Sequence, residues 1–176
     1  MKALICNEFG STKNLTLEEV KSPEPGAGQV LIDVHAAGIN FPDVLTVQGK
    51  YQFKPSLPFT PGIEVSGVIK KVGKDVKMRK VGDEVISTLQ TGAFASEVVT
   101  SENSTFLKGN MSFEQAAGFA LTYGTSYYAL KQRARLVAGE TVLVLGAAGG
   151  VGVATIQLAK AMGANVIAAA SNLSLI

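Results

Sequence analysis

The sequence predicts a mixed β and α/β protein, in which an all-β, barrel-like domain is followed by a strand, a helix and a second strand. Two observations lead to this prediction. Short β-rich runs alternate with Pro- and Gly-containing turns over the first two-thirds of the chain. After them, an apolar run leads into the glycine-rich stretch Gly146 to Gly152 and then into a helical pattern. We therefore expect one domain over 1–122 and a second over 123–176.

The first domain is predicted from apolar and β-branched runs that lie between turn residues. Its expected strands cover 2–7, 15–20, 29–36, 64–72, 84–87 and 94–100. The pattern changes at Ser112, because Ser112 and Gln115 have the spacing of a capping box, which predicts helical structure over 113–118. A longer helix is expected from about 122 to 133.

The second domain begins its sheet with 141–145, an apolar run typical of a central parallel strand covered on both faces. Gly146, Gly149 and Gly150 follow, and residues without side chains let the backbone turn tightly and let a ligand come close. Gly152 is expected to let the next helix pack closely. The helix then ends near Gly163, and a second strand is predicted over 166–170.

This arrangement predicts a dinucleotide site, because the free N–H groups at a helix N-terminus point at whatever the turn holds. The predicted cofactor-binding residues in the turn are Gly146, Ala148, Gly149, Gly150, Val151 and Gly152. One alternative is a glycine-rich turn in another kind of α/β protein. A second is a membrane span, since 141–159 carries no charged residue, but the glycines in its middle favour the turn.

The end of the second predicted strand bears on the choice of cofactor. A site that selects NAD usually places Asp or Glu there, and no acidic residue follows Glu140. Ser171 and Asn172 occupy the position instead, and they leave room for a 2′-phosphate without repelling its charge. We predict that NADP(H) is preferred to NAD(H); the alternative is that these residues form an ordinary turn.

Composition excludes several classes of protein. The 176 residues are 47% hydrophobic with a formal net charge of +2, and their charges are well mixed, so no nucleic-acid partner is expected. Met1 leads directly into a strand-like run without a signal pattern, which predicts a cytoplasmic protein that does not bind membranes. The single cysteine, Cys6, excludes an internal disulfide and is expected to be buried on the first strand.

The chain resembles the medium-chain dehydrogenase/reductases, and within them the zinc-independent NADPH:quinone oxidoreductases. The resemblance is carried in order by Gly26 to Val30, Ala36 to Asp43, Gly49 to Tyr51, Pro61 to Gly67, Val81 to Val85, Leu121 to Ser126 and Ala147 to Gly152. It implies a GroES-like β-barrel domain followed by a Rossmann domain that binds NADP(H). Only the first βαβ unit of the latter is expected here, so we interpret the chain as a truncated or frame-shifted product or a partial chain.

The resemblance also implies chemistry without a metal. Zinc-dependent relatives have a Cys ligand near Asn40 and Gly-His-Glu where this chain has Gly62-Ile63-Glu64, and Ile63 cannot bind zinc. One cysteine cannot build a structural zinc site. The only histidine, His35, is expected to be an ordinary strand residue.

The resemblance assigns four further site residues. Asn40 matches an asparagine beside the nicotinamide and the acceptor pocket, Tyr51 a tyrosine that lines the quinone pocket, and Thr125 a threonine beside the nicotinamide. Asp43 is expected to orient the loop of Asn40. The alternatives are turn residues for Asn40 and Asp43, a surface aromatic for Tyr51 and a buried helix hydroxyl for Thr125.

The function expected is hydride transfer from NADPH to a quinone or another small conjugated carbonyl. An enoyl-thioester reductase of the acrylyl-CoA type is the nearest enzymatic alternative, and a non-catalytic, truncated GroES-like module is the other. The resemblance implies a homodimer for a full-length family member.

Overall fold

The computed structural model describes residues 1–171 and divides into two compact units, 1–118 and 119 onward. The bounds of the first unit's strands and helices are β1 Lys2–Ile5, β2 Thr16–Glu19, β3 Gln29–Ala37, α1 Phe41–Val47, β4 Glu64–Val72, β5 Glu84–Thr88, β6 Glu97–Ser101, β7 Thr105–Leu107 and α2 Phe113–Ala117. Those of the second are α3 Ala120–Tyr127, the π-helical turn Tyr128–Arg133, β8 Thr141–Leu145, α4 Gly150–Ala161 and β9 Asn165–Ala169.

The first unit is built on a five-stranded antiparallel sheet with the order β6-β3-β4-β5-β7. β1 and β2 form a separate hairpin, which is joined to the rest by the bridges Ala3 to Ala95 and Cys6 to Phe59. Cys6 is buried, as predicted. The capping box is also confirmed, because the Ser112 hydroxyl accepts from the Gln115 N–H and the Gln115 side chain accepts from the Ser112 N–H.

The predicted barrel is wrong in one respect, since the strand ladder is open within residues 1–171. β6 and β7 lie at opposite edges of the sheet, yet only the short 3₁₀ turn Glu102–Ser104 separates them along the chain. The sheet must therefore curl strongly to bring its edges together. The curl does not close the ladder, because no pairing between β6 and β7 is present among residues 1–171.

The core of the first unit lies on the inner face of this sheet. Its buried members are Val30, Ile32, Val65, Ile69, Val85, Ala93 and Val98. A smaller cluster of Cys6, Val47 and Phe59 anchors α1 beside the β1–β2 hairpin. This helix, which the sequence analysis did not predict, positions the loop that carries Asn40.

The second unit contains the predicted βαβ arrangement. β8 and β9 pair in parallel with α4 between them, and Leu130, Leu136 and Ala159 form the buried centre of its core. The helix expected over about 122–133 is divided into α3 and the π-helical turn. That this is the first βαβ unit of an incomplete Rossmann domain stays a prediction.

The expectation that β8 is covered on both faces is wrong for the residues described. Val144 is buried, whereas Leu143 and Leu145 are exposed, as is Ile167 on β9. The reason is that α4 packs on one face of this two-stranded sheet only. No helix within residues 1–171 is long and apolar enough to cross a membrane, and the uncharged run 141–159 is divided into a strand, a turn and a helix.

Candidate functional site

The glycine-rich turn joins the end of β8 to the start of α4. Gly146 has a φ of +70°, a conformation that favours glycine, and its carbonyl accepts from the Gly149 N–H at 3.0 Å. The Ala147 N–H donates to Ala169 O at 3.0 Å, so the turn is also tied to the end of β9. Gly149 then caps α4 with an extended backbone. The backbone alone thus sets the shape of the turn.

Two kinds of glycine are present in this turn. A Cβ on Gly152 would lie 2.3 Å from Gly146 O and 2.8 Å from Ala147 Cα, so close packing between the helix and the turn requires glycine there. A Cβ on Gly146 would meet nothing within 4 Å, and one on Gly149 would meet only Gly146 O at 3.4 Å. Space on the outer side of the turn is therefore open.

This geometry fits a diphosphate. α4 has 12 residues, and the N–H groups of its first turn, beginning at Gly150, have no partner within the helix. The exposed backbone of Gly149 and the exposed Ala148 leave these groups accessible. A helix N-terminus favours negative charge, so phosphate oxygens are the natural ligands of such a turn.

A cluster of hydroxyl groups supports the first turn of α4 from α3. Ser126 is buried, and its Oγ lies 2.8 Å from Thr122 O and 3.1 Å from Val151 O. Thr155 Oγ1 lies 3.0 Å from Ser126 Oγ. Sequence reasoning singled out Thr125, which is exposed on α3, whereas its neighbour Ser126 is the buried helix hydroxyl. Only the position of Ser126 beside Thr125 in the motif could have indicated it.

Ser171 is the last residue described, in a bend after β9, and its side chain is exposed. Asn172 lies outside the described residues. Their predicted role in selecting NADP(H) stays a prediction.

Asn40 lies in the first unit, at the N-cap of α1, and is half-buried. Its backbone N–H donates to Asp43 Oδ2 at 2.7 Å, and the Asp43 N–H donates to Asn40 O at 3.0 Å. The Asn40 side chain Nδ2 donates to Glu64 Oε1 at 2.8 Å. The structure thus brings Asn40 and Asp43 together and adds Glu64, to which sequence reasoning gave no role in the site. Glu64 is 24 residues away along the chain, so only the fold reveals the contact.

Asp43 is buried, and its Oδ1 has no hydrogen-bond partner among the residues described. Burial raises the pKa of this carboxyl; the hydrogen bond from the Asn40 backbone opposes the shift, and the charge of Glu64 adds to it. The buried Asp43 carboxylate therefore caps α1 and fixes the backbone of Asn40. This position supports the orienting role predicted for Asp43.

The sequence neighbours of Asn40 are apolar and exposed. Ile39 and Phe41 flank it in sequence and are both largely exposed. Tyr51 follows α1, its backbone N–H donates to Leu45 O at 3.2 Å, and its ring is half-buried. Its phenol makes no hydrogen bond within residues 1–171.

His35 is an exposed residue on β3. Its ring centroid lies 4.3 Å from that of Phe113, and its Nε2 lies 3.6 Å from the Asp33 carboxylate. Ile63 immediately precedes β4. Within residues 1–171 no three His, Cys, Asp or Glu side chains are grouped so as to hold a metal ion.

Comparisons with known proteins agree on one family. The family model described as "Alcohol dehydrogenase GroES-like domain" matches residues 26–137. "Quinone oxidoreductase-like protein 2 homolog" of Nematostella vectensis is 45% identical over 172 residues, which are 96% of this chain and 47% of the relative. "Quinone oxidoreductase" of Rattus norvegicus is 42% identical over 98% of this chain and 53% of its own length.

Solved structures give the same result. The quinone oxidoreductase of Thermus thermophilus, described with its NADPH complex, has a TM-score of 0.89 at 34% identity and covers 100% of this chain and 55% of its own. CurK enoyl reductase has a TM-score of 0.89 at 37% identity over 97% of this chain and 54% of its own. The chain spans about half the length of the relatives it matches.

Proposed function

Because the chain belongs to the medium-chain dehydrogenase/reductases through its GroES-like domain, we propose that it carries the catalytic and first cofactor-binding parts of an NADP(H)-dependent oxidoreductase. The observation that carries the proposal is the turn from Gly146 to Gly152, with its open outer side at the N-terminus of α4. Residues 1–122 form the catalytic domain in this proposal, and 123–176 belong to the NADP(H)-binding domain.

The second unit binds the cofactor in this proposal. N–H groups of the first turn of α4 hold the diphosphate, and Gly152 keeps the helix close enough to the turn to present them. Ser171 and Asn172 accommodate a 2′-phosphate, and Thr125 lies beside the nicotinamide. The nicotinamide supplies the hydride when it is bound.

The first unit binds the acceptor. Asn40 uses one Nδ2 hydrogen on Glu64, so its second is available to donate to the oxygen of a carbonyl that gains charge. Asp43 holds the Asn40 backbone, and Tyr51 offers a flat ring to a quinone or a related conjugated carbonyl. Ile63 replaces the histidine of zinc-dependent relatives, so no protein-bound metal takes part.

Consumption of NADPH with a simple 1,4-quinone tests the proposal. Asn40→Ala should lower kcat by about 100-fold, because a hydrogen-bond donor to the developing charge is lost, and leave NADPH affinity unchanged. Asn103→Ala, at an exposed asparagine of a 3₁₀ turn, is the matched control and should change neither. An unchanged rate in Asn40→Ala would remove Asn40 from the site.

CurK enoyl reductase among the structural neighbours favours one second candidate, reduction of an enoyl thioester. Substituting a short enoyl-CoA for the quinone separates the two chemistries, because only the true acceptor class should give saturable turnover. A folded chain that consumes NADPH with neither acceptor would favour a non-catalytic GroES-like module.

A further inference from the structure

Glu64 is a buried acid that contacts the predicted catalytic amide directly. It is the first residue of β4, its side chain is 1% exposed, and its Oε1 accepts from Asn40 Nδ2 at 2.8 Å. Burying a carboxylate costs free energy unless the group is well hydrogen-bonded, so a glutamate at this buried position needs a physical reason. The contact with Asn40 supplies one.

The two ends of an asparagine side chain are chemically different. The nitrogen donates and the oxygen accepts, and a rotation of 180° about the last bond exchanges them. An ionised carboxylate only accepts, so Glu64 stabilises the orientation in which Nδ2 faces inward and opposes the other. In that orientation, one N–H and the carbonyl oxygen of Asn40 remain for a ligand.

The chain leaves room for the Glu64 side chain at Gly38. A Cβ on Gly38 would lie 2.3 Å from Glu64 Oε1 and 2.6 Å from Ala117 O, so any larger residue would displace the carboxylate or the backbone. The Gly38 N–H also donates to Glu64 O at 3.1 Å. Asp43 holds the Asn40 backbone at 2.7 Å, so backbone and side chain of Asn40 are each fixed by a separate carboxyl group.

We propose that Glu64 is a positioning residue, which fixes the Asn40 amide so that one Nδ2 hydrogen is directed to the substrate oxygen. This inference rests on the proposed function in taking Asn40 as the group that contacts the substrate. Glu64 itself contacts no reacting atom.

The wild-type chain gives the first test. In ¹⁵N–¹H spectra, the Asn40 side-chain signals are identified by their absence in Asn40→Ala. One Asn40 Nδ2 proton should exchange with solvent at least about tenfold more slowly than those of exposed Asn103, because it is bonded to a carboxylate. Equal rates in the folded wild type would overturn the proposal without any change at Glu64.

Variants give the second test. Glu64→Gln can present either a donor or an acceptor to Asn40, and Glu64→Asp keeps the charge but is one methylene shorter. Both should speed Asn40 exchange toward the rate of Asn103 and lower kcat roughly tenfold, with the KM for NADPH unchanged. Glu19→Gln, at an exposed position of β2, is the matched control and should change neither.

The two readouts separate this inference from the proposed function. If the Glu64 variants lose the slow exchange of the Asn40 side chain and the wild-type chain shows no quinone turnover, positioning by Glu64 is supported and the proposed activity is contradicted. Turnover that persists while Glu64→Gln or Glu64→Asp leaves exchange and kcat unchanged would overturn the positioning and leave the activity intact.

Discussion

The central strands of the first unit's sheet and the strands of the second unit's sheet differ in how completely their apolar side chains are covered. In the first unit, Ile32 and Ile69 on neighbouring strands are both 0% exposed. In the second, Leu143 is 59%, Leu145 76% and Ile167 56% exposed. The first sheet is thus stabilised by burial within its own unit, whereas the second has one covered face. Apolar composition alone therefore does not show which strands contribute to stability.

The largest expected effect is a loss of stability in the first of two matched truncations, which compare the two sheets. Ile69→Ala should cost about 2–5 kcal/mol of unfolding free energy, because it leaves a cavity in a packed core. Leu145→Ala should change it by less than about 0.5 kcal/mol, because the side chain is mostly in water. Urea unfolding followed by circular dichroism measures both. Equal costs would contradict the contrast between the sheets.

A glycine pair probes the covered side of the second unit. Gly152→Ala should destabilise this unit by about 1–3 kcal/mol, since the new Cβ would lie 2.3 Å from Gly146 O. Gly150→Ala is the control, because its Cβ would meet only the Thr122 methyl, at 3.2 Å, and alanine favours a helix. In thermal unfolding, the Tm of Gly152→Ala should lie below that of the wild type, and the Tm of Gly150→Ala should equal or exceed it. The reverse order would show that the turn and the helix are not closely packed.

The smallest expected effect concerns an edge of the first sheet. Lys70 on β4 and Ser22 both bond to Glu97 on β6 and lower the pKa of its carboxyl. A lowered pKa in the folded chain means that Glu97 contributes stability above its unfolded pKa, and that this contribution is lost as pH falls through the folded value. Glu97→Gln should therefore destabilise at pH 7 and not at strongly acidic pH. Unfolding at several pH values measures the difference, and a pH-independent effect would contradict the role of the charge.

The sequence was most informative where local residues determine the backbone. Gly146 and Gly152 predicted the turn between β8 and α4, because a positive φ and a close approach each require glycine, and Ser112 predicted the start of α2. α1 was not predicted, because Asn40, Pro42 and Asp43 were interpreted as turn residues, although Asn at the N-cap and Asp three residues later also begin a helix. Packing of Val47 against Cys6 and Phe59 then stabilises the helix.

Features that depend on contacts distant in sequence could not be predicted. Glu64 was visible only as part of a motif, since its contact with Asn40 depends on how β4 lies against α1. Exposure of Leu143 and Leu145 was missed, because an apolar run indicates a buried strand without specifying what covers it. Closure of the barrel likewise depends on whether the two edge strands β6 and β7 pair, and they do not among residues 1–171.

A titration of the 176-residue chain with NADPH and NADH, followed by nicotinamide fluorescence, tests the central claim most directly. We expect saturable binding that is tighter for NADPH and is weakened by Gly152→Ala, because the turn and the start of α4 hold the diphosphate. Absence of binding by a chain that circular dichroism shows to be folded would contradict the assignment of this turn as a cofactor site.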